Sequence, residues 1–116
     1  MCPPIPIVET EAQQDAALIR VHVKSISDPA LVQTISDAVK AAAALPGARI
    51  VALDVGEVAM FTTVFLGRLV SLRKTLKGLG VELRLCRPSP HVRESLNYCK
   101  LDRLIPVYGA VAEALA

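Results

Sequence analysis

Two adjacent threonines, Thr62 and Thr63, are the residues of this chain best placed to carry regulatory chemistry. An apolar run that ends at Asp54 precedes them, and a helical pattern begins near Thr63. Hydroxyl side chains are favoured at helix N-caps, and the free N–H groups and the dipole of a first turn attract anions. A threonine at this junction therefore either caps the helix or accepts a phosphate, and helix chemistry alone favours the cap.

The other reactive residue types do not form a recognisable catalytic or metal-binding pattern. His22 lies in a strand pattern, His91 follows Ser89-Pro90, and neither has a Cys, Asp or Glu at metal-ligand spacing. No glycine-rich nucleotide-binding motif and no nucleophile–base pair is visible. Asp54 is interpreted as a turn residue that accepts backbone N–H groups. We therefore expect a protein that is not an enzyme, with no catalytic residue, no metal and no cofactor.

Composition narrows the classes of partner and the compartment. The chain has 116 residues, 53% of them apolar but only 3% aromatic, with a net charge of +2. Aromatic platforms for stacking bases are scarce, and so small a charge does not favour nucleic acid or membrane partners. No apolar run reaches the roughly 20 residues of a membrane span. We expect a single cytoplasmic domain over residues 1–116, with an irregular lead-in at residues 1–6.

The three cysteines are too few and too widely spaced to suggest disulfides or a zinc site. Cys86 ends a strand pattern and Cys99 lies among apolar neighbours, so both are predicted to be small buried thiols. Cys2 falls in a terminus that is expected to fray.

The elements that must position the two threonines alternate between strand and helix. Strand patterns cover residues 7–10, 17–23, 49–55, 81–86 and 104–108, and residues 12–16 are predicted to form a polar turn. Helices are predicted from Ser27-Asp28-Pro29 to Pro46-Gly47, over 63–79, from 90 to 99 or 100, and over 110–116. The order ββαβαβαβα predicts an α/β fold with a mostly parallel, helix-covered sheet.

Three segments resemble the STAS domain, the module of bacterial anti-sigma factor antagonists. Residues 50–58 are similar to the family's VVLDLSGV strand and turn. Residues 62–69 lie where the family has D-S-S-G-L-G-x-L. Residues 83–93 and 101–108 are similar to its L-x-L-x-x-x-x-P-x-V-R and L-D-R-L-F-x-V segments. The resemblance implies a STAS-like α/β fold, with a four- or five-stranded, mostly parallel mixed sheet flanked by about four helices.

The resemblance also implies a function. In phosphorylation-switched members, a kinase modifies the hydroxyl residue that follows the motif's Asp, and the unmodified antagonist binds the anti-sigma factor. Matched by position, Thr63 is the candidate phosphoacceptor and Thr62, in the place of the Asp, is the second candidate. Val64 replaces the second Ser and Phe65 replaces the Gly. The implied partner is an anti-sigma factor or a serine/threonine kinase-type protein, and a homodimer is compatible with the family.

The implied docking surface follows the same segment. Its predicted members are Glu57, Met60, Thr62, Thr63, Val64, Phe65 and Arg68. Phe65 either anchors an interface or points into the core. The missing Asp and the added Phe65 favour an alternative, a scaffold or oligomerisation subunit that is never phosphorylated. A second alternative is a small-molecule sensor with an apolar ligand between sheet and helices.

Overall fold

A five-stranded mixed sheet organises the part of the chain that the computed structural model describes, residues 8–13, 15–26 and 28–115. The strands are β1 (Val8–Gln13), β2 (Ala16–Val21), β3 (Ser25–Ile26), β4 (Ile50–Asp54), β5 (Met60–Phe61), β6 (Glu82–Cys86) and β7 (Val107–Tyr108). The helices are α1 (Pro29–Ala43), α2 (Thr63–Gly78), α3 (Pro90–Tyr98) and α4 (Val111–Leu115), with a 3-10 turn at Leu101–Arg103.

The order of strands in the sheet is β1-β2-β4-β6-β7. β1 pairs antiparallel with β2, and all the other neighbours in this sheet are parallel. The fold class predicted from the sequence is thereby confirmed: the described residues form a main sheet of five strands and four α-helices. β3 and β5 form a separate two-stranded parallel sheet.

Alternate side chains of the central strands divide the core into two parts. Ile19, Leu53 and Leu85 are paired in register across β2, β4 and β6 and are fully buried in the larger cluster, which α1, α2 and α3 complete. On the opposite face Leu18 and Ala52 are buried with Ala114 of α4. A strand that is covered on both faces does not alternate between apolar and polar residues, which explains the continuous apolar run at β4.

Side-chain caps fix where three helices begin. Asp28 Oδ1 accepts the N–H of Ala30 at 2.9 Å, with Pro29 as the first helical residue of α1. Thr62 caps α2, and Ser89 caps α3 ahead of Pro90. All three caps lie where the sequence predicts a helix start. None of the helices in the described ranges is long and apolar enough to span a membrane.

Three sequence predictions need correction. The polar turn predicted over residues 12–16 is too long: Asp15 lies in a turn, but Ala12 pairs with Ala17 and Gln13 with Ala16, which lengthens β1 and β2. The two-residue strands β3 and β5 were not predicted, since they are too short to show a period. Cys99 is exposed, although Cys86 is buried as expected. The predicted lead-in at residues 1–6 and Cys2 lie outside the described residues.

Candidate functional site

The loop that follows β4 is held by the buried side chain of Asp54. Its Oδ1 accepts the N–H of Gly56 at 2.9 Å, which is the turn role predicted from the sequence. Its Oδ2 accepts a hydrogen bond from Arg87 Nη1 at 3.1 Å. The Arg87 guanidinium lies so close over Gly56 that a Cβ at that position would fall 2.8 Å from Arg87 Cζ. The buried carboxylate of Asp54 therefore connects the residues that follow β4 with Arg87, which follows β6.

Cys86 lies at the end of β6, beside this pair. Burial, followed by the negative charge of Asp54, raises the pKa of the Cys86 thiol to about 11. The thiolate is the reactive form, so Cys86 is an inert core thiol at neutral pH. No group of three or more Cys, His, Asp or Glu among the described residues is arranged to hold a metal ion.

The two threonines occupy different environments. Thr62 Oγ1 donates to the carbonyl of Ile26 in β3 at 2.9 Å and accepts the N–H of Phe65 at 3.4 Å. Its hydroxyl is therefore used to cap α2 and to tie the helix start to β3. Thr63, the first residue of α2, is exposed, and its hydroxyl has no hydrogen-bond partner in the described part of the chain.

Thr63 opens into a groove of about 720 Å³ between the start of α2 and helix α3, here called the Thr63 groove. Phe61 and Leu66 contribute apolar surface to it, and α3 contributes His91, Glu94 and Tyr98. The Tyr98 side chain is 90% exposed. The sequence alone did not indicate these three α3 residues as site residues, although an exposed tyrosine at the end of an amphipathic helix is a signal that could have found Tyr98.

Among the other residues predicted to bind a partner, some side chains are exposed and one is buried. Val64 is 62% and Met60 43% exposed, and Arg68 is partly exposed on the next turn of α2. Phe65 is fully buried and packs edge-on against Phe61 at 4.8 Å between ring centroids. The expectation that Phe65 belongs to the docking surface is therefore corrected: its ring fills the core.

Glu57 lies in a neighbouring but separate cavity with His22 and Lys24. The His22 ring contacts Glu57 through Nδ1 and Glu9 through Nε2, the latter at 2.8 Å. The imidazole therefore lies between two carboxylates, an arrangement that favours its protonated form. The contact with Glu57, helped by the charge of Glu9, raises the pKa of His22 against the opposing effect of partial burial. These contacts of His22 connect β1 to the loop that leads to β5 and α2.

The fold and this junction define an α/β module whose sheet-to-helix turn presents one exposed hydroxyl beside a groove. The chain belongs to the STAS domain family, whose model matches residues 8–114. No curated protein is significantly similar in sequence.

Solved structures of anti-sigma factor antagonists share the fold. A STAS domain protein of Planctomyces limnophilus is 23% identical with a TM-score of 0.77, over 92% of this chain and 93% of its own. An antagonist from Mycobacterium paratuberculosis is 20% identical with a TM-score of 0.74, over 92% and 88%. The Bacillus cell fate determinant SpoIIAA, in its phosphorylated form, is 16% identical with a TM-score of 0.68, over 92% and 95%.

Proposed function

We propose that this protein is a non-enzymatic, cytoplasmic anti-sigma factor antagonist, a single-domain interaction module that is switched by phosphorylation of Thr63. The observation that carries the proposal is the contrast between the two threonines. The Thr62 hydroxyl is engaged in two hydrogen bonds, whereas the Thr63 hydroxyl is exposed at the mouth of the Thr63 groove. Its STAS relatives include SpoIIAA, an antagonist solved in both its phosphorylated and its unphosphorylated form.

The partner contacts are assigned to the exposed apolar side chains around Thr63. Val64 and Met60 flank it on α2 and β5, and Tyr98 faces it across the groove. Exposed aromatic and aliphatic side chains of this kind are typical interface anchors. The partner we propose is an anti-sigma factor of the serine/threonine kinase type, which would recognise the same surface as ligand and as substrate.

The location of Thr63 explains how a phosphate would act as a switch. As the first residue of α2, a phosphothreonine would lie beside the N–H groups of the first turn, which favour negative charge. The folded state would tolerate the group, since Thr63 is already exposed. In the complex the same dianion would have to be desolvated next to Glu94, which lines the groove. Phosphorylation is therefore expected to weaken docking without unfolding the domain.

Phosphate mapping tests the proposed acceptor. The protein is incubated with a cognate anti-sigma kinase and ATP, and the modified residue is located by mass spectrometry. We expect one phosphate on Thr63, which is lost in Thr63→Val and kept in Thr62→Ser, a change that preserves the capping hydroxyl. A phosphate on residue 62, or none while a control substrate reacts, would contradict the proposal.

A pair of matched variants tests the docking surface. Val64 and Leu79 lie at opposite ends of α2 with similar exposed fractions, 62% and 58%. Val64→Ser is expected to weaken partner binding by about tenfold, or about 1.4 kcal/mol. Leu79→Ser, which removes an exposed apolar side chain far from Thr63, should leave affinity unchanged. Equal losses in the two variants would show that the start of α2 is not the interface.

The scaffold alternative loses one of its two arguments. Its case depended on the missing acidic residue and on Phe65 as an exposed self-association anchor, but Phe65 is buried. Sedimentation of the Val64→Ser and wild-type proteins distinguishes the two functions. A constitutive dimer that dissociates in the variant would favour the scaffold over the antagonist.

A further inference from the structure

A second cavity, of about 420 Å³, opens at the far end of α2, here called the basic cavity. Arg49, Arg73 and Lys77 line it, together with an apolar floor that includes Val81, Leu104 and Pro106. Lys77 is 14 residues beyond Thr63 on the same helix, about 21 Å at 1.5 Å per residue. The basic cavity is therefore remote from the Thr63 groove and lies at the amino ends of β4 and β6.

Hydrogen bonds fix the backbone of Arg49 and the guanidinium of Arg73. The N–H of Arg49 donates to the carbonyl of Asp15 at 2.7 Å, and its own carbonyl accepts the N–H of Glu82 at 2.8 Å, so its backbone is fixed between the β1–β2 turn and the start of β6. Arg73 Nε donates to the carbonyl of Leu104 at 2.8 Å. This bond orients the guanidinium and leaves its terminal nitrogens available to a ligand.

The charges that line the basic cavity are not balanced. Among the described residues, Glu82 is the only acidic residue that lines the cavity, and its carboxylate is within 3.3 Å of the Arg84 guanidinium on the same strand. Within the described residues, Arg49, Arg73 and Lys77 make no ion pair. Three cations from two separate elements thus face one concave surface without a neutralising partner.

We propose that the basic cavity binds a small organic phosphate. A phosphate monoester carries about −1.5 to −2 charges at neutral pH, which matches the excess of positive charge. One arginine guanidinium can donate two parallel hydrogen bonds to the oxygens of a phosphate, and a lysine ammonium attracts the phosphate as a compact positive charge. The apolar floor accommodates the organic part, and the volume falls in the ordinary range for small-molecule sites. The site differs from the apolar pocket between sheet and helices that the sequence suggested.

The test is an NMR titration at fixed ionic strength with three probes, AMP, adenosine and inorganic phosphate. AMP should saturate, and its chemical-shift changes should centre on Arg49, Lys77 and Val81. Inorganic phosphate should perturb the same residues more weakly, because it lacks the organic part, and adenosine should not bind. Absence of saturable shifts in the basic cavity with both AMP and phosphate, or equal binding of AMP and adenosine, would overturn the proposal.

Variants that each remove one positive charge distinguish specific binding of AMP in the basic cavity from non-specific electrostatic attraction to the protein surface. Arg49→Gln and Lys77→Gln should each weaken AMP binding by about tenfold, the effect of one charge-assisted hydrogen bond. Lys74→Gln removes the same charge from an exposed α2 position that does not line the cavity and should have little effect. Equal weakening by Lys74→Gln would show non-specific attraction and refute the site. The unfolding transition of each variant confirms that the fold is retained.

The test of phosphate binding in the basic cavity is independent of the test of docking through Thr63. Because the basic cavity lies about 21 Å along α2 from Thr63, the Arg49→Gln variant should be phosphorylated at Thr63 like the wild type. Failure of AMP binding would leave the antagonist proposal unaffected, and failure of Thr63 phosphorylation would leave the basic cavity unaffected.

Discussion

Phe65 occupies the position where the family motif has Gly. Replacing it by alanine tests whether its side chain stabilises the core or binds a partner. The Phe65 ring is fully buried, and its pair with Phe61 has an interplanar angle of 69°. Burial of such a ring contributes about 1.5–3 kcal/mol and an edge-to-face aromatic pair about 0.5–1.5 kcal/mol more. With the cavity that remains, we expect Phe65→Ala to lower the free energy of unfolding by about 3–5 kcal/mol.

Urea unfolding followed by circular dichroism measures this loss. The matched control is Val64→Ala, one residue away but largely exposed, which should change stability by less than about 0.5 kcal/mol. Phe65→Leu conserves most of the volume and should lose less than about 1.5 kcal/mol, so it keeps the position testable if the alanine variant does not fold. A Phe65→Ala protein of wild-type stability that no longer binds its partner would refute the buried role.

Three further predictions follow from buried or paired groups. Because the pKa of His22 is raised in the folded protein, its stabilising contribution is complete below the ordinary value of 6.5 and is lost as the pH rises through the folded pKa; urea unfolding between pH 6 and 8.5 should show this decline, and His22→Gln should remove it. In the native protein at pH 8, iodoacetamide should modify Cys99 but not Cys86, as read by mass spectrometry, and modification of Cys86 without unfolding would contradict its burial. Arg87→Ala leaves the Asp54 carboxylate buried without its ion-pair partner and should lower the free energy of unfolding by about 1–3 kcal/mol, whereas an unchanged urea midpoint would show that the pair is not stabilising.

The features that the sequence predicted correctly depend on local chemistry. The caps at Asp28, Thr62 and Ser89 need only a side chain and the next turn of the helix, and the run over residues 50–54 needs only a buried strand. For Phe65, which the sequence left between an interface and the core, a local signal favours the core. Phe65 precedes Leu69 by four residues on the apolar stripe of α2, so helical periodicity assigns it to the core.

The features that the sequence did not predict join residues far apart in the chain. β3 pairs with β5 across 35 residues, and these two strands fix the position of Thr62 through the Ile26 carbonyl. The contact of His22 with Glu57 spans a similar separation. The Thr63 groove forms only when α3 packs beside the start of α2, so its α3 residues cannot be found from the α2 motif alone.

The affinity of the protein for a cognate anti-sigma factor, before and after stoichiometric phosphorylation of Thr63, is the most direct test of the proposed switch. Titration calorimetry at constant ionic strength compares the two forms, with circular dichroism to show that both are folded. We expect the unmodified protein to bind and the phosphorylated protein to bind at least about tenfold more weakly, a change of about 1.4 kcal/mol or more. Equal affinities of the two folded forms would contradict the assignment of Thr63 as the switch of the docking surface.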